Sequence, residues 1–210
     1  MREVFCSLIG SAMFLSAVSP ALAGPPLVCH TIKIEGAKSL PFGTGAFDAD
    51  SGYDRARMAD DVLALLNAGT PVLVRMETLR RATVYAKKNE AVATRLAQSL
   101  AGRASKEKGT PAEALRVFDV SYLAGCLHQY GVAADWSGIP EGWTADEGYA
   151  GVQEAISLSH GDPAMEFAAA LMARSPVRPG FAEHLRLARA GAPEGSLLAR
   201  NLAEHPVLRR

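Results

Sequence analysis

Four residues offer metal or redox chemistry: Cys29-His30 near the start of the chain, and Cys126 and His128, which flank Leu127. Two thiols and two imidazoles are suitable donors for zinc or copper. The spacing argues against all four acting together. Cys126 and His128 are two apart in a segment with helical periodicity, so they point to different sides. Metal ligation by His30 and His128 is therefore the disfavoured use of this set. In an oxidising compartment the expected use is a Cys29–Cys126 disulfide. Closing so long a loop would stabilise the fold by about 4–5 kcal/mol through the unfolded chain.

Other candidates are more diffuse. Asp48, Asp50 and Asp54 surround Gly52, but an EF-hand loop needs an oxygen ligand at its fifth position and a glutamate at its twelfth. Gly52 and Met58 or Ala59 stand there instead, so the acidic stretch is expected to be a polar loop capping the next helix. Arg75, Arg80 and Arg81 could bind a carboxylate or phosphate; the expectation is a solvated helix face paired with Glu77. Trp136 and Trp143 bracket Ser137-Gly138-Ile139-Pro140-Glu141-Gly142. They are either a recognition surface or anchors that fix this linker to the core, and the anchor reading is preferred. HExxH, GxSxG, CxxCH and phosphate-loop motifs are missing. The five histidines, His30, His128, His160, His184 and His205, are scattered, so no catalytic set can be singled out.

These residues must be positioned by helices. Residues 1–23 read as a signal peptide: Arg2, an uncharged apolar run from Val4 to Val18, the helix breaker Pro20, and Ala21-Leu22-Ala23 as the cleavage site. The run is shorter than the roughly 20 residues a spanning helix needs, and no later stretch qualifies, so no stable membrane span is expected after cleavage. Residues 24–54 read as an extended arm and loop, with Ile32 and Ile34 alternating with polar neighbours and Pro41, Gly43, Gly45 and Gly52 following. From 55 to 210 the period becomes helical. Helices are expected near 55–67, 71–88, 90–104, 111–131, 146–159, 163–173, 179–189 and 194–204. Thr70-Pro71, Thr110-Pro111 and Asp162-Pro163 supply start signals, and Thr110 with Glu113 and Thr144 with Glu147 fit capping boxes. Gly148-Tyr149-Ala150 returns as Gly180-Phe181-Ala182, which suggests a repeated helix pair.

The strings GPPLVCH and IEGAKSLPF resemble the mature N-terminus of a group of exported bacterial proteins. TPVLVRMETLRRATVYA and DPAMEFAAALM resemble later blocks of the same group. The resemblance implies bacterial origin, export and a helical fold; it brings no activity, cofactor or catalytic residue. Similarity to tetratricopeptide repeats is looser.

The expected fold is therefore all-α, stacked helical hairpins (tetratricopeptide-like or an orthogonal array) with an extended N-terminal arm. Lys and Arg number 22 and Asp and Glu 22, and this balance argues against a nucleic-acid partner. The expectation for function is a periplasmic or secreted interaction or scaffold module without a cofactor, its partner another envelope protein. The alternatives are an enzyme with a site built from scattered residues, or a small-ligand or metal-binding envelope protein. A scaffold requires a groove lined by exposed apolar and arginine side chains, whereas an enzyme or binder requires a pocket of converging ionisable groups.

Overall fold

The computed structural model describes residues 26–133, 143–174 and 179–208; the signal-peptide reading and Trp136 lie outside them. Among the described residues eight α-helices follow one another: α1 Met58–Leu65, α2 Val72–Ala86, α3 Glu90–Lys106, α4 Glu113–Gln129, α5 Ala145–Leu158, α6 Pro163–Ala173, α7 Phe181–Gly191 and α8 Leu197–Glu204. The all-helical expectation holds. Among the described residues there is no strand, and Ile32 and Ile34 lie in an extended arm; one antiparallel bridge joins Phe42 to Ala49. None of the described helices is long and apolar enough to cross a membrane.

The helix starts show which local signals decide. Asp162 accepts hydrogen bonds from the amides of Ala164 and Met165, with Pro163 in the first turn, and Thr144 and Glu147 form the full capping box of α5. Thr70 and Thr110 behave differently. Their hydroxyls donate back to the carbonyls of Leu65 and Glu107 at 2.6 Å. They close the turns before α2 and α4, which start at Val72 and Glu113; the expected Thr110–Glu113 capping box does not form, and Glu113 accepts from the Gly109 amide instead.

Helix α2 is the hub. It packs against α1, α3, α4 and α6, and apart from Arg81 all its residues are buried. The largest helix contacts join α4 to α5 and α6 to α7. Gly148 of α5 permits the first: a Cβ there would sit 2.9 Å from the Ser121 carbonyl oxygen. Both copies of the suggested repeat form helix pairs, α5 with α6 and α7 with α8, but they pack differently. Helix α8 makes little contact with α7 and bonds to the N-terminal arm instead. Asn201 exchanges hydrogen bonds with the backbone of Lys33 (2.9 and 3.0 Å), and Arg200 pairs with Glu35 at 2.6 Å.

The arm is part of the core. Leu27, Val28, Ile32 and Leu40 join the main hydrophobic cluster. Its polar fastening runs through α2, where the Glu77 carboxylate accepts from the Ile32 amide at 3.0 Å. Arg80 donates to the carbonyls of Val28 and Ala46, and Arg81 donates to that of Leu40. The expected solvated arginine face is thereby corrected. Arg75 and Arg80 are fully buried: the arm covers Arg80 and supplies its carbonyl acceptors, while Arg75 is enclosed by Asp119 of α4 and the carbonyls of Asn67 and Thr70 in the turn before α2.

Candidate functional site

A partly open cavity of about 290 Å³ lies between the arm and the C-terminal segment. Cys29 and His30 line it from the arm, with Thr44 and Ala46 from the loop beyond. Asn201, Glu204 and His205 close the opposite wall. Local sequence explains the C-terminal side. Pro206 cannot continue α8, so the chain turns at His205 and a short 3₁₀ turn, Pro206–Leu208, buries Val207 and Leu208. His205 is thereby pressed inward, 3% exposed, between His30 (ring centres 5.3 Å apart, edge-on) and Phe167 (5.8 Å).

The chemistry of this wall is unusual in one respect. Both ring nitrogens of His205, and Nε2 of His30, are buried with no hydrogen-bond partner. Buried polar atoms are ordinarily satisfied, and each unsatisfied one costs about 1–3 kcal/mol. At the rim Lys33 pairs with Glu204. Burial lowers the basicity of His30 and holds His205 down to about 4, with repulsion from His30 adding to the effect. It also raises the Cys29 thiol, against the pull of Arg80. At neutral pH the cavity therefore presents neutral imidazoles and a protonated thiol.

A pH dependence follows. The folded pKa of His205 lies below that of the unfolded chain, about 6.5. The unfolded state then binds more protons between about pH 6.5 and 4, so the stability tied to this residue is complete above that window and is lost as pH falls through it. The loss is expected to reach about 3 kcal/mol at pH 4, on a conversion of about 1.4 kcal/mol per pKa unit. Urea unfolding of the wild type and of His205→Phe across this range checks it: the difference between the two proteins, not the raw profile, should carry the slope.

The other sequence candidates separate. The expected Cys29–Cys126 disulfide is corrected: both are free thiols. Cys126 is fully enclosed on α4, where burial raises its pKa far above the usual thiol value, while Cys29 faces the cavity. The arm is held by the Glu77, Arg80 and Asn201 bonds instead. His128 does not join His30; its Nε2 lies 2.6 Å from the carbonyl oxygen of Trp143. Trp143 is 5% exposed, an anchor as preferred. Asp50 and Asp54 accept from the amides of Gly52 and Ala56, which is the local capping expected of that loop. Among the described residues no group of three or more His, Cys, Asp or Glu side chains stands in metal-holding array. Comparison with protein-family models, curated proteins and solved structures finds no match to the chain.

Sequence reading missed His205 as a partner of His30, because 175 positions separate them and only the packing of the arm on α8 brings them together. It also missed a Glu166–His184–Tyr149 chain. His184 Nδ1 lies 2.6 Å from Glu166 and its Nε2 lies 2.9 Å from the Tyr149 hydroxyl. This arrangement fixes the imidazole tautomer and ties α5, α6 and α7. Gly180, at φ 99°, lets the chain pass close to that hydroxyl, 3.0 Å from where a Cβ would sit.

Proposed function

We propose that the protein is an exported small-ligand-binding protein whose ligand sits between the N-terminal arm and the C-terminal segment. The observation that carries this reading is the buried imidazole of His205 beside the half-buried His30 at the wall of the cavity, with three ring nitrogens that no protein group engages. Lone pairs and N–H groups kept out of water without protein partners are suited to a ligand that completes them. The scaffold reading has less support. The large exposed apolar side chains among the described residues are Phe47 and Leu158, on separate elements, and Phe47 already stacks on Tyr130 (ring centres 5.5 Å apart). Arg75 and Arg80, which a partner-binding surface would need outside, are enclosed.

The test uses untagged protein recovered from the cell envelope of the source bacterium. The protein is unfolded, and the released material is analysed by mass spectrometry for organic compounds and by elemental analysis for metals. The expected result is one stoichiometric species that His205→Phe protein does not carry. Wild-type protein that is recovered folded and releases nothing overturns the reading, as does equal loading of the variant.

A further inference from the structure

The C-terminal segment is attached to the rest of the protein as a strap. Helix α8 makes little contact with any other helix. Leu198, Leu202 and Leu208 reach the core, but polar bonds fasten the segment to the arm. Asn201 exchanges hydrogen bonds with the Lys33 backbone, Arg200 pairs with Glu35, and Glu204 pairs with Lys33. The rings of His30 and His205 meet edge-on across this seam. Segments with so few packed neighbours open locally before the body of a protein unfolds.

The seam has no place for positive charge. Both nitrogens of His205 and Nε2 of His30 are buried without a hydrogen-bond partner, and an unpaired buried charge costs far more than a neutral ring. Among the described residues, the charged and titratable groups around the two rings are already committed. From the arm and α8, Lys33 pairs with Glu204 and Glu35 with Arg200, and burial keeps the Cys29 thiol protonated. From α2, Glu77 is held by Arg80, Arg81 and the Ile32 amide, while Arg80 brings a positive charge towards Cys29. From α6, Phe167 offers a neutral ring, and the Glu166 carboxylate turns to His184. Proton uptake by both rings would set two like charges against each other across the seam. Opening returns the rings to water, where an imidazole takes a proton near pH 6.5.

From this arrangement we infer that the His30–His205 contact is an acid-sensitive latch, whose protonation releases α8 and the Pro206–Leu208 turn from the arm and uncovers the cavity while the other helices stay folded. The latch does not depend on the cavity being occupied, so it stands apart from the ligand reading. With His205 near 6.5 when open and about 4 when closed, the ratio of open to closed protein rises roughly 100-fold between pH 7 and pH 4. The test follows amide exchange of the mature chain by NMR over that range, each rate divided by that of an unstructured peptide at the same pH. The Lys33 amide, which donates to Asn201, and the amides of α8 should lose about 100-fold in protection. The Ile32 amide, which donates to Glu77, and the amides of α2 should change less than about threefold. His205→Phe keeps an aromatic ring without a titratable charge, and its Lys33 protection should stay flat. Glu204→Gln removes the rim pair and should keep the wild-type profile. Should His205→Phe fail to fold, His205→Gln, equally unable to take a proton, replaces it, and the split between Lys33 and Ile32 in the wild type is a test by itself. Flat Lys33 protection in the wild type, equal loss at Lys33 and in α2, an undiminished loss in a folded His205 variant, or a flat profile in Glu204→Gln overturns the inference. Wild type with flat protection that still releases a bound compound on unfolding loses the latch alone.

Discussion

Glu77→Ala is expected to destabilise the protein by about 3–5 kcal/mol, the range for removing one partner of a buried ion pair. Glu77 is 1% exposed and takes two hydrogen bonds from Arg80, both at 2.8 Å. It accepts another from Arg81 at 2.8 Å and a fourth from the Ile32 amide at 3.0 Å. Arg80 has no exposed surface, so the substitution leaves a guanidinium charge enclosed with only the carbonyls of Val28 and Ala46 to solvate it. Coulombic loss is thus the larger part of the cost, and the orphaned Ile32 amide adds about 1–3 kcal/mol of its own. Glu77→Gln should fall between, because it keeps an acceptor for Ile32 but not the charge. Thermal unfolding measures the sum, with a drop of roughly 10–15 °C expected for a chain of this size. Hydrogen exchange then separates a local effect from a global one. Amides around Ile32 should exchange faster than those of α4, since the variant loosens the arm before the helical body. Equal acceleration throughout would show that the arm and body unfold as one unit.

That node also marks how far sequence reasoning reaches. The eight helices follow from local signals: apolar periodicity, Asp162-Pro163, and the Thr144–Glu147 box. The pairing of Arg80 and Arg81 with Glu77 is legible too, at three- and four-residue helical spacing. The burial of Glu77 and Arg80 is not. Periodicity says which residues share a face, but not whether a segment 30 or more positions away covers it. The arm does so through backbone carbonyls, which carry no residue signature. The same limit hid the cavity. Cys29-His30 is visible as chemistry, but its structural complement is His205, an isolated histidine before a proline, and not the Cys126–His128 cluster with the more suggestive spacing. A helical wheel cannot report that α8 turns away from α7 to meet the arm.

The second buried pair makes a sharper test of what such charges do here. Asp119 on α4 is 1% exposed and receives Arg75 Nη1 at 2.9 and 2.7 Å, with Arg116 3.4 Å away. Burial raises its carboxyl to about 6 in spite of both arginines, so the cost of desolvation is not fully offset by attraction. Two outcomes follow from that imbalance. Asp119→Ala should lose about 3–5 kcal/mol, because Arg75 is left fully enclosed with only the carbonyls of Thr70 and Asn67 as acceptors. The double change Arg75→Met with Asp119→Leu should cost distinctly less than that single change, since it removes the stranded charge along with its partner. Urea denaturation of Arg75→Met, Asp119→Leu and the double gives the coupling energy directly. A double variant no more stable than Asp119→Ala would show instead that the pair contributes net stability, with the Thr70 and Asn67 contacts fixing the turn before α2 through Arg75.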